Sequence, residues 1–247
     1  MVPDEGGQGM KVDSNSLINI FKEIDAISIK EVCLCPTEDG EMTIYGMDPS
    51  MTAVVSGKVK AAAFPDGCTL ENEVKVPIPF MLDALEKDKE CDMTFNDGNI
   101  TLKYGKSKRT RRLIAPTEEP RPVPSIELPD SCVLMSDDVV AVMKMSCFQD
   151  IKTDNDGITI KLDEDGMVFE ALSTVESAEI HIEGTTALEN EECKSVFGVK
   201  VIAPILKALP KATILTVSNM SDCPIKISID DDKYSMDIFI APFIVEE

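Results

Sequence analysis

Tryptophan is absent from the 247-residue sequence, histidine occurs once, and aromatic residues make up only 5%. The single histidine, His181, and the lack of any Cys-x-x-Cys pair among eight cysteines argue against a zinc site. No apolar run is long enough to cross a bilayer, and residues 1–9 lack the charged-then-apolar pattern of a signal peptide. We therefore expect a cytoplasmic protein whose cysteines stay reduced.

Motifs for catalysis and nucleotide binding are also missing. The sequence contains neither a G-x-x-x-x-G-K-S/T phosphate loop nor a G-x-G-x-x-G dinucleotide motif. Residues 154–157 resemble part of a calcium loop, but Lys152 stands where the first carboxylate ligand would be needed. His181 lies in an alternating A-E-I-H-I-E-G stretch typical of a strand. We predict a protein that binds without catalysing and that uses no metal or cofactor.

Positive charge is scarce as well, because the formal net charge is −21. Affinity for nucleic acid comes mainly from lysine and arginine, so this sum alone argues against a nucleic-acid ligand. Two segments depart from this acidic composition. Residues 103–112 hold six basic residues in ten, and residues 193–221 hold four lysines and no acidic residue. Whether the chain could bind nucleic acid therefore depends more on where its basic residues lie than on its net charge.

The basic segment 103–112 has two interpretations, a nucleic-acid patch or an edge strand with an acidic partner strand. Residues 175–184 supply such a partner. We favour this pairing, because a head-to-tail contact can close subunits into a ring and cover exposed strand edges. The predicted subunit-contact residues are Lys106, Lys108, Arg109, Arg111 and Arg112 on one strand and Glu176, Glu179 and Glu183 on the other.

The chain consists of two similar halves. Each half begins with a helical pattern, at residues 17–24 in the first and at Val140, Met143 and Cys147 in the second, where Ser136 is the predicted N-cap. Short later helices are predicted at 79–87 and 204–209. Landmark tripeptides recur at offsets of 126 and 124 residues: Glu38-Asp39-Gly40 with Glu164-Asp165-Gly166, and Leu85-Glu86-Lys87 with Leu209-Pro210-Lys211.

Strands fill most of both halves, as at residues 41–47 and 52–60. Five Asp-Gly pairs favour tight hairpins between them. We predict an α+β fold of two similar domains, each with two short helices and antiparallel sheets.

Residues 115–130 separate the halves and contain five prolines. Proline removes a backbone donor, so this segment can be neither a helix nor a central strand and is predicted to be an extended connector. The predicted organisation is an N-terminal domain at 1–114, the connector at 115–130 and a C-terminal domain at 131–247.

Several stretches together resemble one protein family. Residues 37–50, T-E-D-G-E-M-T-I-Y-G-M-D-P-S, are similar to a signature strand pair of the archaeal and eukaryotic sliding clamps, the proliferating cell nuclear antigen family. Residues 195–199, S-V-F-G-V, resemble the strand before the last helix of these clamps. The C-terminal segment 240–247, I-A-P-F-I-V-E-E, and the I-E-L-P end of the connector resemble archaeal members. The resemblance covers nearly the whole chain.

This resemblance implies a ring of three protomers and six similar domains, with helices lining the hole and sheets forming the outer wall. Such a ring encircles double-stranded DNA without reading its sequence and is a processivity factor in replication and repair. It acts at the nucleoid, or in the nucleus of a eukaryote, and not at a membrane. The DNA-facing residues implied are Lys22, Lys87, Lys89, Lys144, Lys152, Lys207 and Lys211.

The resemblance also implies that DNA polymerase, the clamp loader, flap endonuclease and ligase bind through short hydrophobic peptide motifs. The implied peptide pocket consists of Met47, Asp48, Pro49, Ser50, Ile126, Leu128, Pro129, Cys223, Pro224, Phe239, Ala241, Pro242 and Ile244. The chain departs from the family at Asp83 and Glu86, where relatives often carry lysines.

Three alternatives to a homotrimeric clamp stay open at this point. The chain could be a regulatory, checkpoint-like subunit of a heteromeric ring, or a monomeric acidic adaptor that mimics DNA. An enzyme would need a pocket with a perturbed acid or base, and the sequence offers no candidate for one.

Overall fold

The computed structural model describes residues 8–113, 126–149, 157–172, 177–190 and 193–243. The chain divides into two compact units. Unit 1 comprises Met1–Met47, Val55–Pro122 and Asp231–Met236, and unit 2 comprises Asp48–Val54, Val123–Asp230 and Asp237–Glu247. No helix among the described residues is both long and apolar enough to span a membrane.

The helices are short and the strands numerous. The helices are α1 (Ser14–Ala26), α2 (Ile78–Ala84), α3 (Ser136–Val142), α4 (Ser146–Gln149) and α5 (Val199–Ala208). The first strands are β1 (Gln8–Asp13), β2 (Glu31–Pro36), β3 (Met42–Met47), β4 (Ala53–Val59), β5 (Val74–Pro77), β6 (Glu90–Asn96), β7 (Asn99–Tyr104) and β8 (Ser107–Arg112). The others are β9 (Asp130–Met135), β10 (Gly157–Asp163), β11 (Gly166–Leu172), β12 (Ser177–Glu183), β13 (Thr185–Ala187), β14 (Cys193–Gly198), β15 (Ile214–Asn219), β16 (Ile225–Asp230) and β17 (Tyr234–Ile240).

The element order confirms the internal repeat. Strand β1, helix α1, strands β2 to β5, helix α2 and strands β6 to β8 form the first copy. The second copy runs in the same order from β9 and α3 to β17, with α4 and β13 as additions. The predicted α+β class with antiparallel sheets is therefore confirmed.

Unit 1 contains one four-stranded sheet in the order β1-β6-β7-β8 and a second sheet that includes β4-β3-β2-β5. Helix α1 packs closely on the second sheet. A Cβ atom on Gly57 of β4 would lie 2.6 Å from Ile20 Cγ2, so only glycine allows this approach. Strand β8 ends the first sheet, and all its residues are exposed.

Unit 2 repeats this arrangement. One sheet has the order β12-β11-β10-β14, and the other includes β13-β9-β15-β16-β17. Strand β12 therefore ends its sheet, as β8 does in unit 1. Phe169 of β11 is fully buried and packs edge-on against Phe148, with ring centroids 6.3 Å apart.

The predicted Asp97-Gly98 hairpin is confirmed. Asn96 pairs with Asn99, which leaves a two-residue loop between β6 and β7. Both loop residues have positive φ angles, 49° at Asp97 and 71° at Gly98. This is the condition for the type I′ turn, whose twist matches that of the flanking strands.

The helix boundaries differ from the prediction at three places. The N-cap of α3 is Met135, because the hydroxyl of Ser136 instead accepts a hydrogen bond from the Thr213 N–H at 3.1 Å. Helix α2 ends at Ala84. Helix α5 begins five residues before Pro204 and contains it. Proline lacks an N–H, so Pro204 cannot donate the usual helical hydrogen bond to the carbonyl four residues earlier.

The loop between β3 and β4 is organised by one carboxylate. Asp48 is nearly buried and accepts hydrogen bonds from the backbone N–H groups of Thr52 at 2.6 Å and Ala53 at 2.7 Å. The hydroxyl of Ser50 donates to it at 2.6 Å and that of Thr52 at 3.0 Å. Burial opposes its ionisation, but these hydrogen bonds outweigh burial and lower the pKa of Asp48.

A second buried carboxylate, that of Glu23, lacks hydrogen bonds of this kind within the described residues. Glu23 of α1 is fully buried, and neither of its carboxylate oxygens has a hydrogen-bond partner among the described residues. Burial raises the pKa of Glu23 well above its usual range, although the charge of Lys22 acts in the opposite direction. A carboxyl group in this setting favours the protonated form.

Replacing Asp48 with alanine should lower the free energy of unfolding by about 2–3 kcal/mol, because buried N–H groups lose a charged acceptor. Urea denaturation of the wild type and of Asp48→Ala at neutral pH measures this loss. A matched Pro49→Ala variant, changed at an exposed position of the same loop, should lose less than about 0.5 kcal/mol. Equal stability of all three proteins would contradict the structural role of Asp48.

Glu23 should make the free energy of unfolding fall as pH rises. Its folded pKa lies above the unfolded value of about 4.3, so folding binds a proton and the contribution of Glu23 weakens above that pH. Glu23→Gln removes this dependence. We expect the stability of the variant relative to the wild type to increase as pH rises above about 4.3, and a constant difference would show that Glu23 does not titrate this way.

Candidate functional surfaces

The residues of the predicted peptide pocket fall in unit 2, except for Met47, the last residue of β3. Backbone contacts connect their segments. The Ala241 N–H donates to the Thr52 carbonyl at 2.8 Å, and the Phe243 N–H donates to the Val196 carbonyl at 2.6 Å. The Ser195 hydroxyl lies 3.5 Å from the Cys223 carbonyl. The Asp48 loop, β14, the turn before β16 and the C-terminal segment therefore form one continuous region.

Apolar side chains remain accessible in these segments. Met51 is 64% exposed, Phe243 41% and Ile126 37%. The half-buried members of the predicted pocket are Met47, Leu128, Pro129, Cys223, Pro224, Ala241 and Pro242, whereas Pro49 and Ser50 are exposed. Ile244 lies outside the described residues. Accessible apolar side chains beside an extended chain segment suit the binding of a short hydrophobic peptide.

Two pocket residues have a supporting role. The carboxylate of Asp48 is engaged by its own loop, and Phe239 is buried with the Lys226 Nζ 5.6 Å from its ring centroid. Two accessible residues, Met51 and Phe243, were missed by the sequence interpretation. Met51 has a φ angle of 59°, and no sequence signal marks an apolar residue for this conformation.

The basic residues of β8 divide between two faces. Arg109 pairs in register with Leu102, and Arg111 pairs with Ile100, both of them buried residues of β7. Lys108 and Arg112 lie on the opposite face, where the Thr101 and Thr110 hydroxyls meet at 2.9 Å. Arg109 forms an ion pair with Asp83 within unit 1. Lys106 lies in the turn between β7 and β8.

The acidic strand β12 has the same alternation. Ile180 and Ile182 pair in register with the buried Phe169 and Met167 of β11. Glu179 and Glu183 lie on the other face, together with His181, whose Nε2 is 2.8 Å from the Glu179 carboxylate. Glu176 lies outside the described residues. Strand β8 is thus basic on both faces, and β12 carries its described carboxylates on one face.

The predicted DNA-facing lysines of unit 1 have acidic neighbours. Lys89 forms an ion pair with Glu86, and the Lys87 Nζ is 4.0 Å from Asp88. Lys22 is exposed on α1. Helix α2 itself carries one charged residue, Asp83.

In unit 2, by contrast, three lysines lie around one groove. An open groove of about 730 Å³ lies between the α3–α4 region and α5, with three lysines around an apolar floor. The lining residues are Lys144, Phe148, Val199, Lys200, Ala203, Pro204 and Lys207. Lys211 is exposed just beyond α5, and Lys152 lies outside the described residues. Lys200 was not among the predicted residues.

The described residues offer no site for a metal, because no three His, Cys, Asp or Glu side chains among them are grouped to hold an ion. Two of the thiols, those of Cys33 and Cys193, are also poor metal ligands. Burial, followed by the nearby Glu73, raises the pKa of Cys33 to about 12, and burial raises that of Cys193 to about 12. The thiolate is the metal-binding form, and the raised pKa values of these two cysteines favour the protonated thiol at neutral pH.

No protein-family model matches the chain. Seven curated proteins do match, each described as a DNA polymerase sliding clamp, with identities from 21% to 26%. The clamp of Methanothrix thermoacetophila is 21% identical over 247 residues, which cover 96% of this chain and 98% of the relative. That of Methanococcus maripaludis strain S2 is 26% identical over 246 residues, covering 90% and 94%.

Solved structures share the fold. The structure of the C-terminal region of FEN-1 bound to A. fulgidus PCNA matches with a TM-score of 0.83 and 18% identity, covering 97% of this chain and 99% of the other. The PCNA2–PCNA3 complex of Sulfolobus tokodaii matches with a TM-score of 0.76 and 22% identity, covering 95% and 99%. The chain is therefore similar along nearly its whole length to archaeal sliding clamps, and it has the fold of the solved proliferating cell nuclear antigen structures.

Proposed function

We propose that this chain is the protomer of a homotrimeric sliding clamp, a ring that encircles duplex DNA and tethers polymerase and other replication and repair proteins. The observation that carries the proposal is the pair of oppositely charged edge strands β8 and β12. The clamp family consists of non-catalytic processivity factors, so the ring acts by holding its partners on DNA.

The positions of these two strands in their sheets support pairing between them. Strands β8 and β12 both end their sheets within the described part of the protomer. If β8 of one copy pairs with β12 of the next, the contact is head-to-tail and a closed ring leaves neither edge exposed.

The two faces of the edges also match. Lys108 and Arg112 lie on the face of β8 that points away from the buried residues of β7. Glu179 and Glu183 occupy the corresponding face of β12, so opposite charges would meet across the joined sheet. On the other face, Ile180 and Ile182 would lie beside the long side chains of Arg109 and Arg111, whose methylene groups can cover apolar surface.

A heteromeric ring is the second candidate, supported by the similarity to a complex of two different clamp chains. The same edges could then pair with those of a related protomer. The mass of the purified chain separates the two candidates, because a homotrimer assembles alone and a heteromeric subunit does not.

Lys108 and Arg112 lie on the face of β8 that points away from the buried residues of β7, and reversing their charges should break the ring. We expect Lys108→Glu with Arg112→Glu to raise the dissociation constant for assembly at least about tenfold, which is about 1.4 kcal/mol. Adding Glu179→Lys and Glu183→Lys to the same chain should restore assembly, because the attraction returns with its sign exchanged. Native mass by light scattering, at low and high salt, measures both effects.

The matched control for this experiment is Lys11→Glu with Lys30→Glu. It changes the net charge equally at exposed positions, one of them on β1 at the opposite edge of the sheet. The control should keep the wild-type mass. If the β8 variant also kept it, or if the compensating changes restored nothing, the proposed pairing would be wrong.

Leu128→Asp should weaken the binding of a synthetic peptide with one aliphatic and two aromatic side chains by at least about tenfold, because binding would bury an unpaired charge. Leu128→Met conserves volume and polarity and should change the affinity little. Calorimetric titration measures the affinity, and light scattering checks that the ring persists. Unchanged affinity of Leu128→Asp would remove this region as the peptide site.

A further inference from the structure

We infer that His181 lies at the centre of the contact between β12 and the β8 strand of a neighbouring protomer, opposite Thr110, and that this contact favours an uncharged imidazole. The inference rests on the proposed ring and adds a register and a pH dependence to it. The partner is a second copy of this chain.

The two edge strands carry matching patterns on the faces that point away from the buried residues. On that face of β8 the residues are, in order, Lys108, Thr110 and Arg112. On that face of β12 they are Glu179, His181 and Glu183. Each pattern is the same in both chain directions, with two charges around one uncharged centre. When both cations face both carboxylates, Thr110 therefore faces His181 whether the joined strands are parallel or antiparallel.

The hydrogen bonds of His181 suit a hydroxyl partner. Its Nε2 is 2.8 Å from the Glu179 carboxylate. An ionised carboxylate only accepts, so the proton of this bond lies on Nε2, and Nδ1 of an uncharged imidazole is left as an acceptor. The Thr110 hydroxyl of the neighbour can donate to Nδ1 while it accepts from the Thr101 hydroxyl, which lies 2.9 Å away in its own protomer. A continuous chain of hydrogen bonds would then cross the contact.

The elements packed against β12 bring further charges near this face. Strand β11 pairs Val168 with His181, and helix α3 also contacts β12. The charged groups that these elements contribute are Glu170 of β11, held in ion pairs by Lys161 and Lys194, and the acidic residues Asp137 and Asp138 of α3. Glu179 remains the anion in direct contact with the imidazole.

Assembly would change the charge around the imidazole. In a separate protomer, Glu179 and Glu183 attract a proton to His181. In the ring, Lys108 and Arg112 of the neighbour would engage these carboxylates and repel an imidazolium between them. Assembly thus favours release of the imidazole proton. By linkage, the ring weakens as pH falls through the range in which histidine becomes charged, about pH 8 to 5.

The first experiment compares assembly of the wild type and His181→Gln by sedimentation over a dilution series, at about pH 8 and about pH 5.5. His181 is the only histidine, so the variant loses all imidazole titration and keeps every carboxylate, including Glu23. We expect the wild-type dissociation constant for each contact to rise about two- to fivefold at the lower pH, the range for an exposed charge pair. That of His181→Gln should change less than about twofold. His181→Lys, a permanent cation, should assemble more weakly than His181→Gln at both pH values.

The outcomes separate the inference from the proposed function. If the wild type and His181→Gln assemble at pH 8 and respond equally to acid, the role of His181 is wrong and the ring stands. If the wild type remains a single protomer at every pH and concentration, the proposed homotrimer itself is wrong. Circular dichroism at both pH values checks that each variant is folded.

The second experiment tests the register through Thr110→Cys combined with His181→Cys. Opposite residues of neighbouring strands have Cα atoms about 4.5–5.5 Å apart, which a disulfide can bridge. Diamide, which takes up the two thiol hydrogens as the S–S bond forms, should link protomers covalently on a non-reducing gel. The controls are the single variants, which retain the eight native cysteines, and Thr110→Cys with Ser177→Cys, farther along the same face. If the His181→Cys pair links no better than these controls, the proposed register is wrong.

Discussion

An exposed backbone edge is the constraint on which the rest of this structure depends. Each copy of the repeat places a strand at the end of a sheet, where one row of N–H and C=O groups faces no further strand among the described residues. Strand β8 has only exposed residues, and four of its six are cationic. The charges keep this edge from pairing indiscriminately, because only a strand of opposite sign can approach it without repulsion. In the proposed ring, the same charges would both oppose unspecific pairing of this edge and select its partner strand.

Charge is distributed unevenly in this acidic protein. Although the net charge is −21, the described lining of one groove beside α5 contains three lysines and no carboxylate. Screening confines each contribution to about 8–10 Å at physiological salt, so the sum over the whole chain has little influence at the groove.

The repeat and the hairpins could be predicted from the sequence because they depend on local signals. The residue types Asp97 and Gly98 themselves favour the positive φ angles of the turn that they form. The order of helical and alternating patterns recurs with nearly constant spacing. The role of Ser136 could not be predicted, since its hydroxyl is engaged by Thr213, 77 residues away in the sequence. The faces of β8 depend on its register with β7, and the groove depends on helices far apart in the chain. The surfaces depend on contacts between residues far apart in the sequence, and they were therefore harder to predict than the fold.

The carboxylate of Asp48 has a consequence for molecular recognition. Its hydrogen bonds fix the loop between β3 and β4 before any ligand arrives, so the conformational entropy of that loop is lost during folding. A peptide that binds beside this loop would lose conformational entropy of its own. The loop, however, would lose none, because it is already ordered. Differences in affinity among competing ligands would then reflect the ligands alone, and a single rigid surface could rank many of them by sequence.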